Sequence, residues 1–120
     1  AGTDEDRREL IARLATPDTA RVATAADGAV AGFVIRAPWG GGATVALSMD
    51  AALDIIRARR ITAGPAGRVR VGLLQENEAG INRLHELGFT DSWAAPRMIR
   101  GATMAWRPEW IWGQFNHAVG

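Results

Sequence analysis

The chain has 120 residues, 48% hydrophobic and 22% charged, which is enough for one globular domain with a single core and too apolar for a disordered segment. All 14 basic residues are arginine and the formal net charge is +1, so the pI of 9.2 reflects the lack of Lys, Tyr and Cys titrating in the alkaline range and does not argue for nucleic-acid binding. No cysteine is present for disulfide or thiolate chemistry, and neither a membrane span nor a signal peptide is visible, which points to a cytoplasmic protein engaging neither nucleic acid nor membrane.

Thr3 followed by Asp4, Glu5 and Asp6 reads as a helix cap with anions at the positive end of the dipole, and Leu10, Ile11 and Leu14 supply a narrow apolar stripe before Pro17. A leading helix within residues 1–16 is expected. Arg21–Ala26 and Ala29–Arg36 flank Asp27-Gly28, the dipeptide suited to a two-residue type I′ turn. They predict a β-hairpin whose second strand, carrying Val30, Phe33, Val34 and Ile35, is central. Pro38–Gly42 is a glycine-rich loop. Its backbone N–H groups suit an anion, but no helix follows at once, and a flexible turn is the simpler reading. Thr44–Leu47 is a short strand, and Ser48 caps a helix over Met49–Arg60 that turns Met49, Ala52, Leu53 and Ile56 inward. Arg57, Arg59 and Arg60 complement its negative end, as a solvated face rather than a ligand clamp.

Beyond a loop over Thr62–Gly67, Val69, Val71 and Leu73 alternate with Arg68, Arg70 and Gly72, which predicts a strand over Arg68–Leu74 with one face buried. Asn77 then offers its side-chain oxygen to the free N–H groups of a helix over Asn77–Leu87, with Glu78 in the first turn and Ile81, Leu84 and Leu87 along one side. Gly88 in a left-handed conformation and Phe89 folded back on Leu84 end it as a Schellman motif. Gly80 costs about 1 kcal/mol against alanine inside a helix and is read as a tolerated glycine, the other reading being that something approaches the backbone there. After Phe89 the chain is expected to run extended through Trp93, with Pro96 bordering an edge strand, and on through Met98–Arg100. Trp106, Trp110, Trp112 and Phe115 either close the domain's own core or face a partner.

A strand, then Asn77, then Gly88-Phe89 eleven residues on, resembles the GNAT superfamily of acyl-CoA-dependent N-acyltransferases. Arg97-Met98-Ile99-Arg100-Gly101 and the aromatic tail Trp110–Gly120 resemble the end of the carboxyl-terminal, GNAT-like domain of its two-domain members. The resemblance covers Val22–Gly120. It implies that residues 1–120 are a single α/β domain with a mixed central sheet and helices on its faces, the carboxyl-terminal part of a longer protein. It also implies acetyl-CoA as co-substrate, no metal, and a small-molecule or protein amine as acceptor.

Two elements of the family's chemistry are absent from their places. The pyrophosphate turn Arg-x-x-Gly-x-Gly corresponds to Leu47–Ala52, which holds neither glycine nor arginine and puts Asp50 where phosphates need donors. The family's tyrosine acid, seven residues after the helix-leading asparagine, corresponds to Leu84, and the adjacent His85 is turned away by about 100° on a helix. His85 and His117 are the only histidines, and with no cysteine they form no metal-ligand pattern. Three functions remain open. The first is a GNAT-like domain that provides structure or substrate-pocket walls while another domain holds the coenzyme. The second is a self-sufficient N-acetyltransferase with a divergent site, in which backbone groups of Ala46, Leu47 and Ser48 pair with the pantetheine arm and Asn77 contacts the coenzyme. The third is a non-enzymatic assembly module. In each, a second GNAT domain or a second copy would meet the Trp106–Phe115 tail.

Overall fold

The computed structural model describes residues 8–38, 42–103 and 105–114. Helix α1 spans Arg8–Leu14, and the Thr3 cap expected for it lies outside the described residues. Strands β1 (Ala20–Thr24), β2 (Val30–Arg36), β3 (Gly42–Ala46) and β4 (Ile111–Gly113) form one antiparallel sheet in the order β1-β2-β3-β4, so β2 is internal as its apolar content predicts. Helix α2 (Met49–Ala63) lies against β1, β2 and β3, and α1 against β2. Helix α3 (Glu78–Glu86) joins the same core through Leu84. The result is the expected mixed α/β domain.

The Asp27-Gly28 hairpin forms with a different turn. The Gly28 N–H donates to the Ala25 carbonyl and the Ala25 N–H to the Ala29 carbonyl, Asp27 Oδ1 accepts from the Ala29 N–H, and φ is positive at Gly28 but not at Asp27 or any other described non-glycine residue. A type I′ turn requires positive φ at both central residues, so the connection is a three-residue loop built on a type I turn with Gly28 left-handed. The register shift between Ala23 and Thr24 accommodates the added residue.

Ser48 caps α2 as expected, its Oγ accepting from Ala51 N at 3.2 Å, and the helix continues three residues past Arg60 to Ala63. Its buried face is wider than the predicted stripe, taking in Ala51 and Ile55 with Ala52, Leu53 and Ile56. The end of α3 follows the sequence closely. Phe89 N donates to Leu84 O at 3.0 Å and Gly88 N to His85 O at 3.0 Å, with Gly88 at φ 91°, the two bonds of a Schellman motif. Leu87, expected on the inner side, is 48% exposed because the chain has already turned there.

Two predicted strands are not part of the sheet. Arg68–Leu74 keeps the predicted alternation, with Val69, Val71 and Leu73 packed on the core cluster of Ala46, Ala51, Ala52, Ile56, Leu84 and Trp112, and Arg68 and Arg70 exposed. It has no strand partner, because the edge of β3 that could receive it pairs with β4 through Thr44↔Gly113 and Val45↔Ile111. The period-two pattern therefore specified a face without specifying a ladder. One backbone acceptor of this segment, Arg70 O, is instead met by Arg59 Nη2 at 2.8 Å. Residues 91–100 likewise form no strand and are exposed throughout, Met98 at 94% and Ile99 at 68%. With Arg68–Leu74 unpaired, they have no neighbouring ladder to extend.

The strand beside β3 comes instead from the aromatic tail, which divides in two. Trp112 is 1% exposed at the centre of the core, while Trp110 is 37% exposed. Phe115 lies outside the described residues. For Trp112 the core reading of the cluster is therefore the correct one.

Candidate functional site

The residues expected to meet a coenzyme gather around the end of β3 and the start of α3. Ala46 ends β3, Leu47 and Ser48 lead into α2, and Asn77 opens α3. Ala46 is fully buried, whereas Leu47 and Ser48 are exposed. Leu47 N donates to Ala31 O at 2.8 Å toward β2. Strand alternation then aims the N–H and C=O of Ala46 at the opposite edge, where β4 pairs with Thr44 and Val45. Next in register beyond Val45↔Ile111 comes the 3-10 turn Pro108–Trp110, so the chain's own tail lies along the edge a pantetheine arm would need.

Asn77 is 3% exposed and both ends of its amide are engaged. Oδ1 accepts from Gly80 N at 3.0 Å, the helix cap, and Nδ2 reaches Glu109 O at 3.5 Å. Trp112 Nε1 donates to that same carbonyl at 3.1 Å. One peptide oxygen of the 3-10 turn thus ties the start of α3 to the core tryptophan. Gly80 is required by this arrangement, since a Cβ there would lie 2.7 Å from Asn77 Oδ1 and 2.8 Å from Leu73 Cδ2. The reading of Gly80 as merely tolerated is therefore replaced by a close approach to the backbone.

Two helix N-termini are present at the junction, and in each a side-chain oxygen of the chain already holds one of the first-turn donors. At α2 the Ser48 hydroxyl holds Ala51 N and Asp50 adds an exposed carboxylate in the first turn, which opposes a phosphate there. At α3 the buried Asn77 occupies the equivalent place. Leu84, where the resemblance expects the proton donor, is 6% exposed in the core. His85 points elsewhere and pairs with Asp91, Nε2 to Oδ1 3.0 Å, both exposed. His117 lies outside the described residues, and among the described residues no group of three or more His, Cys, Asp or Glu is placed to hold a metal ion. Among those residues no helix is long and apolar enough to cross a membrane.

A cavity of about 380 Å³ opens on the other face of the sheet, with Phe33, Val45, Leu74 and Ile111 as its apolar lining. Arg97 and Trp106 stand at its wall, the guanidinium carbon 4.0 Å from the ring centroid, a cation–π contact. Sequence reasoning singled out Arg97 and Trp106 separately, in a motif and in an aromatic cluster, but their pairing across this cavity has no counterpart in sequence spacing.

Residues 2–113 match the family model described as "Acetyltransferase (GNAT) domain", nearly the full chain. No curated protein and no solved structure matches the chain.

Proposed function

The chain belongs to the GNAT acetyltransferase family, and from that premise we propose that it serves as the carboxyl-terminal GNAT-like domain of a two-domain N-acetyltransferase, providing structure and substrate-pocket walls while another domain anchors acetyl-CoA. The observation that carries this reading is the closed end of β3. Ala46 is fully buried, the chain's own β4 and 3-10 turn lie along the edge, and the α2 start offers Ser48 and Asp50 in place of a phosphate cradle. Acetyl transfer forms an N–C bond as the C–S bond breaks, and it needs a group to take the amine proton and another to protonate the departing thiolate. At this junction the side chains of Asn77, Leu84 and Trp112 supply neither. The apolar cavity flanked by Arg97 and Trp106 is the part suited to act as an acceptor-pocket wall. The alternative roles of Ala46, Leu47, Ser48 and Asn77 as coenzyme contacts would require the tail to leave the β3 edge.

Titration calorimetry with acetyl-CoA tests this directly. The isolated chain is expected to show no saturable heat at micromolar ligand, and a micromolar Kd would defeat the proposal in favour of a self-sufficient enzyme. Partner contact rests on the exposed part of the tail. Trp110→Ser, with Trp112 left intact in the core, is expected to lower the mass of a self-associated or two-domain species in size-exclusion with light scattering. If the unaltered chain stays monomeric and the full-length protein is unaffected by the substitution, Trp110 is no interface.

A further inference from the structure

At the carboxyl end of α2, about 20 Å along the helix from Ser48 at 1.5 Å per residue, lies a second cavity of about 250 Å³. Four arginines from four different segments line it: Arg21 from β1, Arg36 from β2, Arg59 from α2 and Arg68 from the segment after the α2 loop. Val34 and Val69 provide apolar lining, and Asp18 is the one carboxylate there. Among the described residues none of the four guanidiniums has a carboxylate within ion-pair distance, although the chain has 13 acidic residues and forms such pairs elsewhere, as at Arg57–Asp54.

Arg21, Arg36 and Arg68 are exposed and Arg59 is half-buried. Arg21 Nη1 donates to Pro17 O at 2.6 Å and Ala20 O at 2.7 Å, and Arg59 Nη2 to Arg70 O at 2.8 Å, which holds two of the guanidiniums in place through uncharged partners. Arg36 and Arg68 make no side-chain hydrogen bond among the described residues, so their donors are uncommitted. Arg60, the neighbouring arginine on α2, does not join the cluster, its Nη1 donating to Gly64 O and Gly67 O in the loop that follows the helix. Burial lowers the Arg59 pKa from its ordinary value by penalising the charged form, a cost that an anion alongside would offset.

Guanidinium pairs recognise planar or tetrahedral oxyanions bidentately, and an apolar lining accepts a short hydrocarbon stem. We propose that this cavity is a binding site for a small organic dianion, a phosphate monoester or a dicarboxylate, held by Arg21, Arg36, Arg59 and Arg68. It lies at the opposite end of α2 from the coenzyme-related junction and does not depend on how that junction functions.

Thermal melting of the chain with phenyl phosphate, with succinate, and with sodium chloride at matched ionic strength tests the site. Phenyl phosphate or succinate is expected to raise Tm saturably, beyond the salt control, and the stronger of the two identifies the headgroup. The double variant Arg36→Gln/Arg68→Gln is expected to weaken the apparent Kd at least tenfold while leaving the ligand-free Tm unchanged or higher, since it removes like charges without removing hydrogen bonds. Arg57→Gln, outside the cavity, should bind as the unaltered chain does. Shifts no larger than those from salt, an equal loss in Arg57→Gln, or a ligand-free Tm that falls in the double variant would each overturn the assignment.

Discussion

Helices α2 and α3 begin with the same device in opposite surroundings. Each has a side-chain oxygen accepting from the N–H three residues on, Ser48 to Ala51 and Asn77 to Gly80. Ser48 does this in the open, whereas Asn77 does it at 3% exposure, with its amide nitrogen reaching Glu109 O and Trp112 bound to the same oxygen. An exposed cap that is lost is replaced by water. A buried one leaves its donor with nothing, so identical local chemistry should carry unequal weight.

The largest effect is expected from Asn77→Ala, which removes the cap, strands the buried Gly80 N–H and takes one of two donors from Glu109 O, for a loss of roughly 2–3 kcal/mol in urea denaturation. A loss no larger than that of the exposed cap would erase the contrast. Gly80→Ala is the sharper test because two principles give it opposite signs. Helix propensity alone predicts a gain of about 1 kcal/mol. A Cβ 2.7 Å from Asn77 Oδ1 and 2.8 Å from Leu73 Cδ2 predicts instead a loss of about 1–2 kcal/mol from overpacking, and a more stable variant would show that the α3 start is looser than described. Ser48→Ala should cost least, about 0.5–1 kcal/mol, with no change in the fluorescence of the core Trp112.

Elements controlled by neighbours in the chain were legible. The Asn77 cap, the Gly88-Phe89 stop, the Ser48 cap and the hairpin at Asp27-Gly28 rest on hydrogen bonds spanning a few residues, so the residue types at those places nearly dictate them. Even there the turn type escaped, because Asp27 accepts either sign of φ more readily than most residues and the sheet register selected the negative one. The alternation at Val69, Val71 and Leu73 gave the buried face correctly and the ladder incorrectly. A face is set by solvent, but a ladder requires a vacant strand edge, and whether β3 has one depends on residues 111–113, far along the chain.

By itself, then, the sequence determined the α/β character, the caps of α2 and α3, the stop of α3, and the GNAT membership that the resemblance signalled. Leu47–Ala52 and Leu84, the places the resemblance assigns to the phosphate turn and the proton donor, hold no glycine, arginine or tyrosine, which needs no coordinates to be recognised. The tertiary structure alone decided that β4 occupies the β3 edge, that Trp112 belongs to the core while Trp110 meets solvent, and that Gly80 is glycine because Asn77 and Leu73 press on it. It alone brought Arg21, Arg36, Arg59 and Arg68 to one cavity, each of them an ordinary exposed-face arginine in its own segment. The reason is common to all of these: they depend on contacts between residues distant in sequence, which hydrophobic burial selects and short-range periodicity does not encode.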